Sequence, residues 1–167
     1  MNFDGRLGDG PRMSLESVRA WLAAHAPDLP IIEVAESTAT VAAAAAALGV
    51  APARIAKTLA VRVDETVFLL VTRGDARLDN AKTKAAFGRR PRMLGPEETL
   101  ALTGHKVGGV CPFGLATPLP VYCDVSLRPF DIVYPAAGSL NSSVEVTAER
   151  LAELVARDWV DICTVPD

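Results

Sequence analysis

Two stretches of this chain combine residue types that can act on a small ester or a phosphate. Lys57 opens an apolar run in the phrase Arg54-Ile-Ala-Lys-Thr-Leu59. A lysine at a strand end, flanked by Ala56 and Leu59, can hold a fixed cation against a carboxyl ester or a phosphate. The plainer account of the same spacing is a strand-end lysine facing solvent. The second stretch is the loop Gly108-Gly109-Val110-Cys111-Pro112-Phe113-Gly114. Its glycines free backbone N–H groups to turn into a cavity, and Pro112 stiffens the turn that holds them. Such a nest binds an oxyanion or orients a carbonyl; the alternative is a surface turn with no ligand.

Other candidates are weaker. Cys111 with His105 nearby suggests a nucleophile and its base. No third residue to orient the histidine is evident, however, and free cysteine commonly packs as a small hydrophobe. His25 falls on the apolar side of a helical pattern, a structural position. Lys82, Lys84, Arg89, Arg90 and Arg92 form a run with no acid among them. In a chain of formal net charge -3, this run is the best local place for phosphates, with a solvated helix face as the competing account. Glu97, Glu98, Glu145, Glu149 and Glu153 show no paired-carboxylate signature.

Cys111, Cys123 and Cys163 are odd in number and contain no C-x-x-C pair, and the chain has only 2 histidines. Neither a disulfide framework nor a zinc site is expected, and no metal or cofactor is invoked. Reduced cysteines fit a cytoplasmic protein. No apolar run approaches the roughly 20 residues that span a bilayer, so no membrane partner is expected. The acidic balance argues against a DNA-binding field and limits any RNA contact to a local patch or a strand end in a pocket.

The elements that must position these residues follow from periodicity. With 167 residues, 50% hydrophobic and 22% charged, the chain has ordinary globular composition. Residues 1–13 read as a flexible N-terminal arm and 14–167 as one domain. Ser14 caps a first helix carrying Val18, Trp21, Leu22 and His25, and Ile31 to Val34 is a short strand. Thr40 or Thr38 caps an alanine helix from Val41 to Leu48, stopped by Gly49. Lys57–Val63 and Thr66–Thr72 pair as a hairpin through Asp64-Glu65, the second strand buried on both faces. Helices near 79–87 and 96–102 precede a long structured loop from Thr103 to Pro120, of the kind that is usually functional. Strands at 121–124, 131–134 and 143–146, a helix at 147–155 and a last strand at 159–165 complete the chain. This order favours an α+β fold with a mixed, partly closed, barrel-like β-sheet surrounded by helices.

Three phrases together resemble the YbaK/ProX family of aminoacyl-tRNA editing domains, which also occurs within bacterial prolyl-tRNA synthetases. They are Thr40 to Val50 running into Arg54-Ile-Ala-Lys57-Thr-Leu, then Val107 to Gly114, then Val121-Tyr-Cys-Asp124 leading to Tyr134-Pro-Ala-Ala-Gly138-Ser139. The resemblance covers about residues 14 to 165. It implies a trans-editing hydrolase that cleaves the ester of a mischarged aminoacyl-tRNA, typically tRNA for proline carrying alanine, cysteine, serine or threonine. Its required lysine falls on Lys57 and its G-x-x-x-P loop on Gly108 to Pro112. The later glycine beside the acyl pocket falls near Gly138.

Carried over, Lys57, Gly108 and Gly109 are the catalytic set, and no protein nucleophile is assigned. Val110, Cys111, Pro112, Gly138 and Ser139 would bind substrate; separately from the resemblance, the charge run makes Lys82, Lys84, Arg89 and Arg90 the expected tRNA-binding residues. The implied partners are the 3′ acceptor end of aminoacyl-tRNA and prolyl-tRNA synthetase. A non-catalytic module that binds a tRNA end or a synthetase, and a thiol enzyme using Cys111, are the competing readings.

Overall fold

The computed structural model describes residues 10–166. Helix α1 (Gly10–His25) buries Val18 and Leu22, one helical turn apart, in the main core. It runs through Ser14 rather than starting there. Ser14 is 3% exposed, and its hydroxyl meets the buried His105 ring, so it pins the helix to the interior instead of capping it. Of the expected N-terminal arm, residues 1–9 lie outside the described residues.

β1 (Ile31–Glu33) is followed by α2 (Val41–Leu48), which starts and stops as its sequence dictates. The Thr40 hydroxyl accepts from the Ala43 amide, and Gly49 ends the helix in the left-handed region. Its alanines let it lie close to the next element: Ala44 and Ala45 pack with Ile55 in a small cluster. A 3-10 turn (Pro52–Arg54) then feeds β2 (Ile55–Val63), which pairs antiparallel with β3 (Thr66–Arg73) through all eight residues from Ala56 to Val63. β3 is buried on both faces. Leu69 and Val71 enter the main core, while Phe68 and Leu70 enter a second cluster with Ala76, Ile162 and Cys163.

The remaining elements are β4 (Arg77–Leu78), α3 (Asn80–Phe87), β5 (Arg92–Met93), α4 (Pro96–Thr103), β6 (Val121–Asp124), β7 (Ile132–Pro135), β8 (Ser142–Val144), β9 (Val146–Thr147), α5 (Ala148–Val155), β10 (Asp158–Val160) and β11 (Cys163–Thr164). The principal sheet has the order β10-β6-β3-β2-β7-β9, with β5 also on β2, and curls into a half-barrel. Its pairings are mixed. The β10–β6, β6–β3 and β2–β7 pairs are parallel, whereas β2–β3, β2–β5 and β7–β9 are antiparallel.

Two expected strands are each divided. The segment 143–146 splits because Ser142–Val144 pairs with β1, while Val146–Thr147 pairs with β7. The final segment splits at Asp161-Ile162. There the Ile162 amide donates to Asp124 Oδ1 (2.9 Å) and the Ile162 carbonyl accepts from the Asp79 amide (2.8 Å). β11 then leaves the main sheet to pair with β4.

One feature of the sheet governs the site. On the edge of β2 away from β3, β7 pairs only with Ile55 and Ala56, and β5 only with Val61 and Arg62. Residues 57–59 between them have no strand partner on that edge. The Ala60 carbonyl faces it, accepting from the Leu94 amide at 3.0 Å. Strand alternation therefore turns the amide and carbonyl of Thr58 toward the same open edge.

Candidate active site

A cavity of about 350 Å³ opens at this gap. Its floor is β2 from Ile55 to Ala60. Thr38 to Val41, at the entry to α2, form one wall, and Met93, Leu94, Pro96 and Thr99 form another. Val107, Gly108 and Val110 of the glycine loop, with Tyr134, Ala136 and Ser143, complete it. Among the described residues lining it, Lys57 is the only one that carries a charge. A mostly apolar cleft with a few convergent polar groups is the usual form of a small-molecule site.

Lys57 and Gly108, distant in sequence, thus share one cavity. The Lys57 ammonium, however, donates to the Ala76 carbonyl at 2.5 Å. Ala76 belongs to the second cluster, and Leu59, two residues along the strand from Lys57, packs against that cluster too. Burial holds the Lys57 pKa below the ordinary lysine value, and the nearby Cys163 and Asp75 oppose that shift. Thr58, by contrast, lies between Ala56 and Ala60, whose side chains enter the main core, so the period of two aims it at the glycine-loop side.

The glycine loop is fastened at several points. The Ala116 and Thr117 amides donate to the Thr103 and Leu102 carbonyls, both at 3.0 Å. His105, fully buried, spans the loop with Nε2 donating to the Phe113 carbonyl at 2.8 Å. Gly108 has φ +100°, in the left-handed region, and a Cβ there would stand 3.1 Å from Leu140 Cδ2 and 3.2 Å from Ala39 Cβ. Gly109 does not line the cavity. Its amide donates to the Lys106 carbonyl (2.9 Å), and a Cβ on it would stand 3.0 Å from the Ser139 carbonyl oxygen.

The other residues expected at the acyl pocket sit behind it. Pro112 is buried and outside the lining. Cys111 is fully buried in the main core, with Sγ 3.6 Å from His105 Nε2. Burial pushes its thiol up to about 12. A thiol so protonated is a poor nucleophile at neutral pH. Gly138 and Ser139 form the turn behind Gly109. Gly138 has φ +93°, and a Cβ would meet the Ser14 carbonyl oxygen at 2.8 Å. The Ser139 hydroxyl donates to Asn141 Oδ1 (3.1 Å) and shares a hydrogen bond with Ser142.

The basic run divides. Lys84, Arg89, Arg90 and Arg92 line a surface cleft together with Asp64. Lys82 is turned elsewhere, donating to Asp161 (3.1 Å) and to the Cys163 carbonyl (2.9 Å). The two residues of β5 face different spaces: Arg92 lines the basic cleft and Met93 the apolar cavity. Among the described residues, no group of three or more His, Cys, Asp or Glu side chains is placed to hold a metal, and no helix is long and apolar enough to cross a membrane.

Sequence reasoning missed Thr38, Thr58, Met93 and Tyr134 as parts of the cavity. Only Thr58 left a signal, through its place between Ala56 and Ala60 in an alternating strand.

The aminoacyl-tRNA editing domain model matches residues 35–154. The chain is 46% identical over 153 residues to "Uncharacterized protein YwhH" of Bacillus subtilis (strain 168), covering 90% of this chain and 98% of that protein. It is 28% identical over 122 residues to "Putative Cys-tRNA(Pro)/Cys-tRNA(Cys) deacylase EbsC" of Enterococcus faecalis (strain ATCC 700802 / V583), covering 72% and 74%. A solved structure described as "a putative trans-editing enzyme for prolyl tRNA synthetase" superposes with a TM-score of 0.83 at 32% identity, over 90% of this chain and 97% of the other. The half-barrel with its edge cavity and glycine loop, together with these matches, establishes that this chain belongs to the aminoacyl-tRNA editing domain family.

Proposed function

We propose that this protein is a trans-editing hydrolase that removes a small non-cognate amino acid, such as alanine, cysteine, serine or threonine, from mischarged tRNA for proline. The observation that carries this reading is the cavity at the open edge of β2, which brings Lys57 and Gly108 to one space of a size for an aminoacyl group. The acyl group enters the apolar room, and the terminal ribose lies at its mouth. Backbone amides of the glycine loop orient the ester carbonyl and stabilise the oxyanion as it forms. A water molecule attacks the carbonyl carbon and the bond to the ribose oxygen breaks. The water's proton passes to the leaving oxygen, directly or through the neighbouring ribose hydroxyl. Free amino acid and uncharged tRNA result. Positioning carries much of the rate, because the aminoacyl ester is already activated.

The Lys57 ammonium has three donors and uses one on Ala76. In this reading its flexible stem brings the remaining donors to the terminal phosphate. Arg89, Arg90, Lys84 and Arg92 take phosphates further along the acceptor strand, on the far side of β5. Lys82, held by Asp161, is a peripheral contact. The protein acts in trans beside prolyl-tRNA synthetase in the cytoplasm.

Incubation with a panel of mischarged tRNAs tests the proposal: ester hydrolysis is expected. Lys57→Ala should lower kcat/KM by about one to two orders of magnitude, the scale of losing one charge-assisted hydrogen bond to the phosphate. An equally active variant would remove Lys57 from the site. The bond from Lys57 to Ala76 favours a second reading, a module that grips a tRNA end or a synthetase without cleavage. Tight tRNA binding with no turnover on any ester would establish that reading instead.

A further inference from the structure

Among the described residues, two buried side-chain polar atoms have no hydrogen-bond partner, Thr38 Oγ1 and Thr58 Oγ1, and both residues line the same cavity. Thr38 is only 6% exposed, and its amide donates to the Leu140 carbonyl at 2.6 Å, so its backbone is fixed. Thr58 is fixed by the pairing of β2 with β3. Other threonine hydroxyls in the cavity are committed: Thr40 accepts from the Ala43 amide at 3.0 Å, and Thr99 donates to the Gly95 carbonyl at 2.8 Å.

A buried hydroxyl without a partner costs stability, and native proteins rarely keep one without a reason. Valine would fill the same volume without that cost. Two such hydroxyls on one apolar room are therefore arranged for a partner that arrives with a ligand. The partner's charge is constrained as well. No acid lines the room among the described residues, so the α-ammonium of an aminoacyl group would find no counter-charge there and is disfavoured deep inside. The side chain of the acyl group enters first and the ammonium stays at the mouth. A neutral hydroxyl can donate to one threonine and accept from the other.

Resting on the editing reading, we infer that Thr38 and Thr58 form a hydroxyl-reading subsite, which makes a β-hydroxy acyl group such as seryl preferred over alanyl. Sites built to hydrogen-bond a substrate hydroxyl discriminate strongly against analogues that lack it, because their own polar groups are then left unpaired. A selectivity of at least about 10-fold in kcat/KM is expected for seryl over alanyl ester.

The test charges tRNA for proline with serine and, separately, with alanine, and compares wild type with Thr38→Val, Thr58→Val, Thr38→Ser and Thr58→Ser. The seryl-to-alanyl ratio of kcat/KM should exceed about 10 in wild type, collapse toward one in the valine variants and persist in the serine variants. In the free protein, the valine variants should melt no lower than wild type, because no protein hydrogen bond is lost. Hydrolysis of both esters at equal rates would overturn the subsite while leaving the editing reading intact. A preserved ratio in both valine variants, or valine variants that melt well below wild type, would also overturn it. Hydrolysis of neither these nor any other ester on the panel would overturn the editing reading and the subsite with it.

Discussion

The His105 imidazole donates through Nε2 to the carbonyl of Phe113, 2.8 Å away, and so closes the segment that contains Gly108 and Val110 into a ring. A carbonyl only accepts, so the proton is on Nε2, and Nδ1 is left to accept from the Ser14 hydroxyl of α1. One neutral side chain thereby ties the glycine loop to itself and to the first helix.

That arrangement makes stability pH-dependent with a definite sign. Burial lowers the His105 pKa below its ordinary 6.5, while the bond to Phe113 pulls the other way. Below pH 6.5 the unfolded chain binds the proton more readily than the folded one. The contribution is therefore complete above pH 6.5 and declines as pH falls toward the folded value, by at most about 1.4 kcal/mol per pH unit. Chemical denaturation of wild type and His105→Gln between pH 5 and pH 7.5 (roughly the histidine window) should show a steeper acid loss in wild type. Parallel curves would mean that His105 does not set the acid limb.

All three cysteines are buried. Burial pushes Cys111 and Cys123 up to about 12 and Cys163 up to about 11. The native protein should therefore react with a disulfide reagent at neutral pH at least about 100-fold more slowly than the denatured chain, which should titrate as three thiols. Cys111→Ser should keep esterase activity. A fast native thiol whose modification abolishes hydrolysis would instead support thiol chemistry.

Arg89 and Arg90 are the accessible part of the basic run. Arg89 lies 3.6 Å from Asp64, with both side chains well exposed, 70% and 62%; such pairs are weak and exchange readily for phosphate. The double variant Arg89→Ser/Arg90→Ser should raise KM for tRNA roughly 10-fold and reduce the log–log salt slope by about 1.4 to 1.8. An unchanged salt response would make this cleft ordinary surface.

The local elements were legible because their signals are local. Thr40 and Gly49 bound α2 through a side-chain oxygen and a left-handed glycine, and Asp64-Glu65 turns between two apolar runs whose lengths match their pairing. The length and glycine content of 103–120 also singled out the loop that walls the cavity. The cavity itself was not legible. It arises where β7 and β5, drawn from segments far apart in the chain, each stop short on one edge of β2. No window of sequence contains that coincidence. The same limit explains Thr38, whose unpaired hydroxyl is noticeable only once every neighbour is known, and Lys57, whose ammonium finds the carbonyl of Ala76 across a strand turn. Cys111 was misplaced for a related reason: it follows Val110, which faces the cavity, but itself turns into the core.

The unpaired stretch of β2 has a consequence for how such a protein can change. The cavity opens where one edge of this strand is left without a partner, so its dimensions depend on where two short neighbours end as well as on the side chains that line it. Extending β7 or β5 by a residue would narrow the room without disturbing the packing behind β3, and retracting either would widen it. In the proposed function, acyl size selectivity would thus drift through the ends of edge strands while the interior that keeps the domain folded stays as it is.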